Sequence, residues 1–143
     1  MSAPSTTARQ TVQSIISDEF SAERISVRPG FLDTSLGQYG PCAGVVPVSE
    51  EPNPDDRLQL ITTLQVELYA MWEADPDPER IVDPATIEDY AYRFRTALGD
   101  YQQTPTSSIW WFRLDELTYD ADPTGNISRF VAVVSAYGQN PAA

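Results

Sequence analysis

Leu58-Gln-Leu-Ile-Thr-Thr-Leu-Gln-Val-Glu-Leu-Tyr-Ala-Met-Trp72 is the stretch on which the fold turns. Its even positions are Leu58, Leu60, Thr62, Leu64, Val66, Leu68, Ala70 and Trp72, against a more polar odd set with Gln59, Thr63, Gln65 and Glu67. Alternation with a period of two places the two sets on opposite faces of a strand. A helix aligns Leu60, Leu64, Leu68 and Met71, but it isolates Val66 and tolerates Thr62-Thr63 poorly because β-branched side chains are stiff on a helix. The stretch therefore reads as a strand. At roughly 3.3 Å per residue it runs about 50 Å, well beyond the usual ~17–20 Å, so part of it is expected to overhang the sheet.

Working outward, the last third of the chain reads as a β-hairpin. Ile109-Trp-Trp-Phe-Arg-Leu-Asp-Glu-Leu-Thr-Tyr119 and Ile127-Ser-Arg-Phe-Val-Ala-Val-Val-Ser-Ala-Tyr137 are aromatic and β-branched runs on either side of the turn formers Asp120 to Asn126. Upstream of the long strand, Ala43-Gly-Val-Val-Pro-Val48 reads as another strand, and Pro47 places it at a sheet edge or a bulge because proline cannot donate to the ladder. Glu50 to Asp56 is an acidic, proline-bearing turn.

Two amphipathic helices complete the elements. Thr7 and Gln10 have the spacing of a capping box, and Ala8, Val12, Ile15, Ile16 and Phe20 recur on one helical face. This helix is expected to end near Ser21 to Arg24, with Ile25 to Arg28 as a short extended piece before Pro29-Gly30 turns the chain. Phe31 to Cys42 carries Gly37, Gly40 and Pro41 without a period and reads as a loop. Glu73 to Asp83 is a stiff acidic loop. Asp83 as N-cap, Pro84 at the first helical position and a Val82/Ile87 staple then start the second helix. Its apolar stripe is Ile87, Tyr90, Ala91, Phe94 and Leu98, and Gly99 is a natural stop. The order predicts a single α+β domain over residues 1–143: a mainly antiparallel β-sheet with two helices packed on one face, and flexible N- and C-terminal ends.

Composition narrows what such a domain does. The chain has 143 residues, 21 acidic against 9 basic, no histidine, and a formal charge of -12. That surface repels phosphate backbones and anionic lipid, so specific nucleic-acid binding is not expected. No apolar run reaches the ~18 residues of a membrane span, and the N-terminus has neither a basic start nor an apolar core, which predicts a protein made and kept in the cytosol. Cys42 has no cysteine partner and no imidazole to activate it, so it reads as an inert thiol.

The chemistry-bearing patterns are few. Asp75/Asp77 and Asp120/Asp122 are the carboxylate pairs, but both sit in proline-containing turns, where aspartate accepts backbone N–H bonds. Neither matches a calcium loop, and no phosphate-binding glycine pattern or nucleophile elbow is present. No catalytic residue, metal ligand or cofactor site is assigned, and the expectation is a protein that is not an enzyme. The adjacent Trp110 and Trp111 must point to opposite sides of a regular strand, so one is expected in the core and the other against a loop or a neighbouring subunit.

Val82-Asp83-Pro84 with Ile87, Trp110-Trp111-Phe112, Asp122-Pro123-Thr124-Gly125-Asn126 and the ending Tyr137-Gly-Gln-Asn-Pro141 carry a resemblance. The chain resembles the tail terminators of long-tailed bacteriophages, the minor tail protein U-like family. The resemblance implies a small α+β virion protein, assembled in the host cytoplasm, that forms a hexameric ring at the head-proximal end of the tail. Such a ring caps the tail tube, stops its polymerisation and offers a docking surface to the head. Its implied partners are copies of itself, the tail tube protein and a head-tail connector protein, with DNA passing through the channel without specific binding and no membrane involved.

Candidate subunit or tube contacts are Phe31, Leu36 and Tyr39 in the loop, Met71 and Trp72 at the end of the long strand, and Trp110 and Trp111. Two other functions fit the same residues. One is a neighbouring head-tail connector or completion protein. The other is an acidic inhibitor or immunity protein, which the charge suits.

Overall fold

The structure, a computed structural model, describes residues 3–29, 41–72, 84–122 and 127–142; for Pro29, Met71, Trp72, Ala121, Asp122 and Ile127 it describes the backbone alone. The elements are α1 (Pro4–Glu19), β1 (Ser26–Pro29), β2 (Cys42–Asn53), β3 (Asp56–Trp72), α2 (Pro84–Gly99), β4 (Ile109–Asp122) and β5 (Ile127–Gln139). They form an α+β fold. The five strands make one sheet in the order β1-β2-β3-β5-β4, antiparallel throughout except for the parallel β1–β2 pair.

From Ile61 to Leu68 the alternation does what its period requires, while Leu58 at the start of the stretch is 65% exposed and Tyr69 of the odd set is buried. Leu64, Val66 and Leu68 are fully buried on the helix side, and their cross-strand partners Ala132, Val134 and Phe130 share that face. Ala8, Val12, Ile16 and Phe20 of α1 and Ile87, Ala91, Phe94 and Leu98 of α2 close over it in one core. Phe94 meets Phe130 with ring centroids 5.5 Å apart, and Phe20 meets Tyr90 at 5.2 Å. The helices are also tied to each other: Arg93 reaches Glu19 Oε1 at 2.9 Å and Glu23 Oε1 at 2.5 Å while its guanidinium lies 4.7 Å from the centre of the Phe20 ring.

The structure corrects several expectations. β3 does not overhang: β2 pairs with it from Asp56 to Tyr69 and β5 from Gln59 to Trp72. Its neighbours are long as well, because β2 continues through Pro47 and Pro52 to Asn53 rather than ending at Val48. Pro47 sits beyond the reach of β1, which covers only Cys42–Val45, and the β2–β3 register shifts between Pro47 and Ser49. Edge and bulge thus coincide there, which is how a proline is accommodated in a strand.

At the first helix, the expected capping box is not formed. Helix α1 begins four residues earlier, with Pro4 in the first turn and no side-chain cap from Ala3. Glu50 supplies the acceptor instead, its Oε1 taking the Ser5 backbone N–H at 2.9 Å, so a carboxylate from β2 meets the positive end of α1. Gly99 is the last residue of α2 and stays in ordinary right-handed backbone space, so the helix does not use it as a left-handed stop. Asp83 and Val82, and with them the expected cap and staple, lie outside the described residues; Pro84 does open the helix.

Candidate interaction surface

The face of the sheet opposite the helices follows from register. Trp111↔Tyr137↔Ile61, Arg113↔Ser135↔Thr63, Glu116↔Val133↔Gln65, Thr118↔Val131↔Glu67 and Asp120↔Arg129↔Tyr69 are its rows. Among the described residues both helices pack on the other side.

The decisive local feature is an extra residue at Trp110. The β4–β5 register shifts between Ile109↔Gly138 and Trp111↔Tyr137, leaving Trp110 without a partner of its own. A bulge of this kind breaks strict alternation and re-aims side chains. Ile109 therefore fills the core position, 2% exposed, and neither tryptophan does. The expectation of one core tryptophan is overturned: the two indoles gather instead, with centroids 5.9 Å apart. Trp111 is 45% exposed and lies flat on Tyr137, at 5.3 Å and 16°. Phe112, back in phase, faces inward and meets Tyr101 edge-on at 5.0 Å.

A polar ladder borders this aromatic platform. Arg113 Nε donates to Asp115 Oδ1 at 2.5 Å, and its guanidinium sits 5.5 Å from the Tyr137 ring centre. The hydrogen bond to Asp115 raises the Arg113 pKa. Ser135 Oγ donates to the other oxygen of Asp115. A second register shift, between Leu114 and Glu116, places Asp115 in this position. Arg113, Asp115 and Ser135 carry no signal of their own in the sequence, and Tyr137 is marked there only as the start of the closing motif; its place beside Trp111 follows only once the bulge is counted.

At the far end of the same face, Arg129 donates to the Tyr69 hydroxyl at 2.6 Å and to Asp120 Oδ2 at 2.8–2.9 Å. Burial lowers the Arg129 pKa, but the bonds to Asp120 and Tyr69 outweigh it and the net movement is upward. Tyr69 is 1% exposed, and burial raises its pKa. Asp120 is thus held in an ion pair with Arg129; the side chain of Asp122, its expected companion carboxylate, is outside the described residues, as are Asp75 and Asp77. Cys42 lies beside this end, buried, its thiol pushed up by desolvation and so kept protonated. Among the described residues no group of three or more His, Cys, Asp or Glu is placed to hold a metal ion.

Of the expected contact residues, Trp110 and Trp111 come together in the platform. Met71 and Trp72 lie at the end of β3, where the β3–β5 register shifts after Tyr69, and Phe31, Leu36 and Tyr39 lie outside the described residues. No family model matches the chain, and no curated protein does.

Proposed function

We propose that this protein is a ring-forming tail terminator of a long-tailed bacteriophage, which caps the tail tube, ends its polymerisation and presents the surface to which the head docks. The observation that carries the reading on the structural side is Trp111, a large aromatic left 45% exposed on the sheet face away from the helices and already stacked on Tyr137. Aromatic area of that kind is enriched at the centres of protein interfaces. The soft motifs around Pro84, Trp110-Trp111-Phe112, Asp122 to Asn126 and Tyr137 to Pro141 supply the family side.

Charge and chemistry point the same way. The chain has no histidine, the side chain that most often runs acid–base steps near neutral pH, and on this face Asp115 beside the platform and Asp120 at the far end are each held by an arginine. A ring of such subunits lines a channel that DNA traverses without sticking.

Removing the gene from the phage tests the reading. Tails are expected to polymerise past their normal length and to remain without heads. Tails of normal length that stay unjoined would reject termination and favour a head-tail connector.

A further inference from the structure

Two modes of association are available to β4: strand addition along its open edge, or contact on its outer face. The edge is guarded. Register shifts at Trp110 and at Asp115 interrupt the strand, and β4 carries Asp115, Glu116, Asp120 and Asp122 against Arg113 alone. Bulges and charge are the means by which edge strands resist pairing, and acid facing acid opposes a β4–β4 junction between two copies.

The outer face is built the other way. The bulge at Trp110 draws both indoles into one patch, and Trp111 covers Tyr137 with one ring face while remaining 45% exposed. The patch already hosts one guanidinium, that of Arg113, 5.5 Å from the Tyr137 ring centre. Indole and phenol faces attract planar cations, arginine above all. Charge then selects the source of the cation. All nine basic residues of the chain are arginine; Arg93, Arg113 and Arg129 are engaged in internal ion pairs, and each further copy brings another -12. A basic partner is complementary to this surface in net charge, which a second copy, itself at -12, is not.

We propose that the Trp111–Tyr137 platform on the outer face of β4 docks an arginine-bearing surface of a different protein. The inference rests on the reading that the chain acts by occupying a surface, and it names the chemistry of what is met there.

An alternating glycine-arginine peptide, its citrulline counterpart and maltohexaose serve as probes, read by two-dimensional NMR of the full chain. The arginine peptide is expected to shift the Trp110 and Trp111 indole signals together with the amides of Trp111, Arg113 and Tyr137. Replacing arginine by citrulline should weaken binding by about tenfold, as should Trp111→Ala, whereas Trp111→Phe should retain most of it. Glu88→Gln and Asp100→Asn, on exposed positions elsewhere, should leave it unchanged. Equal binding of the citrulline peptide, shifts spread over the whole acidic surface, maltohexaose acting on the same signals in place of the arginine peptide, or unchanged binding by Trp111→Ala would each overturn the proposal.

Sizing of the same variants separates this inference from the ring reading. Trp111→Ala is expected to leave self-association unchanged; a variant that falls apart into monomers assigns the platform to the ring neighbour and overturns the proposal while leaving the ring reading intact.

Discussion

Of two glycine-to-alanine substitutions, only the one at Gly138 should destabilise the protein, and the structure gives the reason. Gly138 pairs with Leu60 on one side and Ile109 on the other, beside the Trp110 bulge. A Cβ there would lie 2.3 Å from the Ser108 carbonyl oxygen and 3.2 Å from Ile109 Cδ1. Relief requires the backbone at Ser108 to retreat by about 1 Å, an overpacking cost of roughly 1–3 kcal/mol. That carbonyl also accepts the Gln139 N–H at 2.9 Å, and losing the bond adds about 0.5–1.5 kcal/mol. Gly138→Ala should therefore cost about 2–4 kcal/mol.

A Cβ at Gly99 meets nothing within 4 Å, and the residue sits at the end of α2. Gly99→Ala should be neutral or stabilising by up to ~1 kcal/mol, because alanine loses less backbone freedom on folding. Urea unfolding followed by far-UV circular dichroism separates them: with a slope of about 2 kcal/mol/M, the Gly138 variant should unfold roughly 1–2 M earlier than the wild type. A Gly138 variant as stable as the wild type would mean that β5 does not press against Ser108, and the placement of the bulge would be wrong.

The other variants probe the core, the helix clamp and the thiol. Phe94, fully buried against Phe130, should cost about 3–5 kcal/mol on Phe94→Ala, measured by the same denaturation; a loss under ~1 kcal/mol would mean that the α2 stripe faces solvent. Arg93→Met should lower the urea midpoint at neutral pH, since Glu19 and Glu23 lose their shared cation. The hydrogen bond from Arg93 holds the Glu23 pKa below its ordinary value, so this stabilisation is present above about pH 4.3 and is lost as pH falls through the depressed folded-state value. Wild type and variant should converge in acid, and a gap that persists undiminished there would contradict the clamp. Cys42 should react with Ellman's reagent only as the protein unfolds, because it is buried and its pKa is raised; rapid labelling of the native chain would contradict its placement.

The parts of the fold that were legible are those written in local periodicity. Leu64, Val66 and Leu68 alternate strictly and are buried together, and Ile87, Ala91, Phe94 and Leu98 repeat at helical spacing and form the buried stripe of α2. Features set by residues distant in sequence were not legible. Glu50 meets the start of α1 from across the structure, and the parallel pairing of Ser26–Pro29 with Cys42–Val45 joins segments with no shared local signal. Pro47 announced an irregularity but not that β2 would resume beyond it to Asn53.

The platform itself illustrates why the site was harder than the fold. Trp110-Trp111 are conspicuous as residue types, yet a single extra residue shifts everything after it, and alternation counted from Ile109 sends one indole the wrong way. Tyr137, Arg113 and Asp115 belong to the site only through that shifted register.

Electron microscopy of negatively stained tail tubes, mixed with the purified protein under conditions in which the tubes still elongate, tests the central claim most directly. The account predicts closed rings seated at one end of the tubes and an arrest of elongation; tubes that keep growing with bare ends, while the protein remains a free monomer, would contradict it.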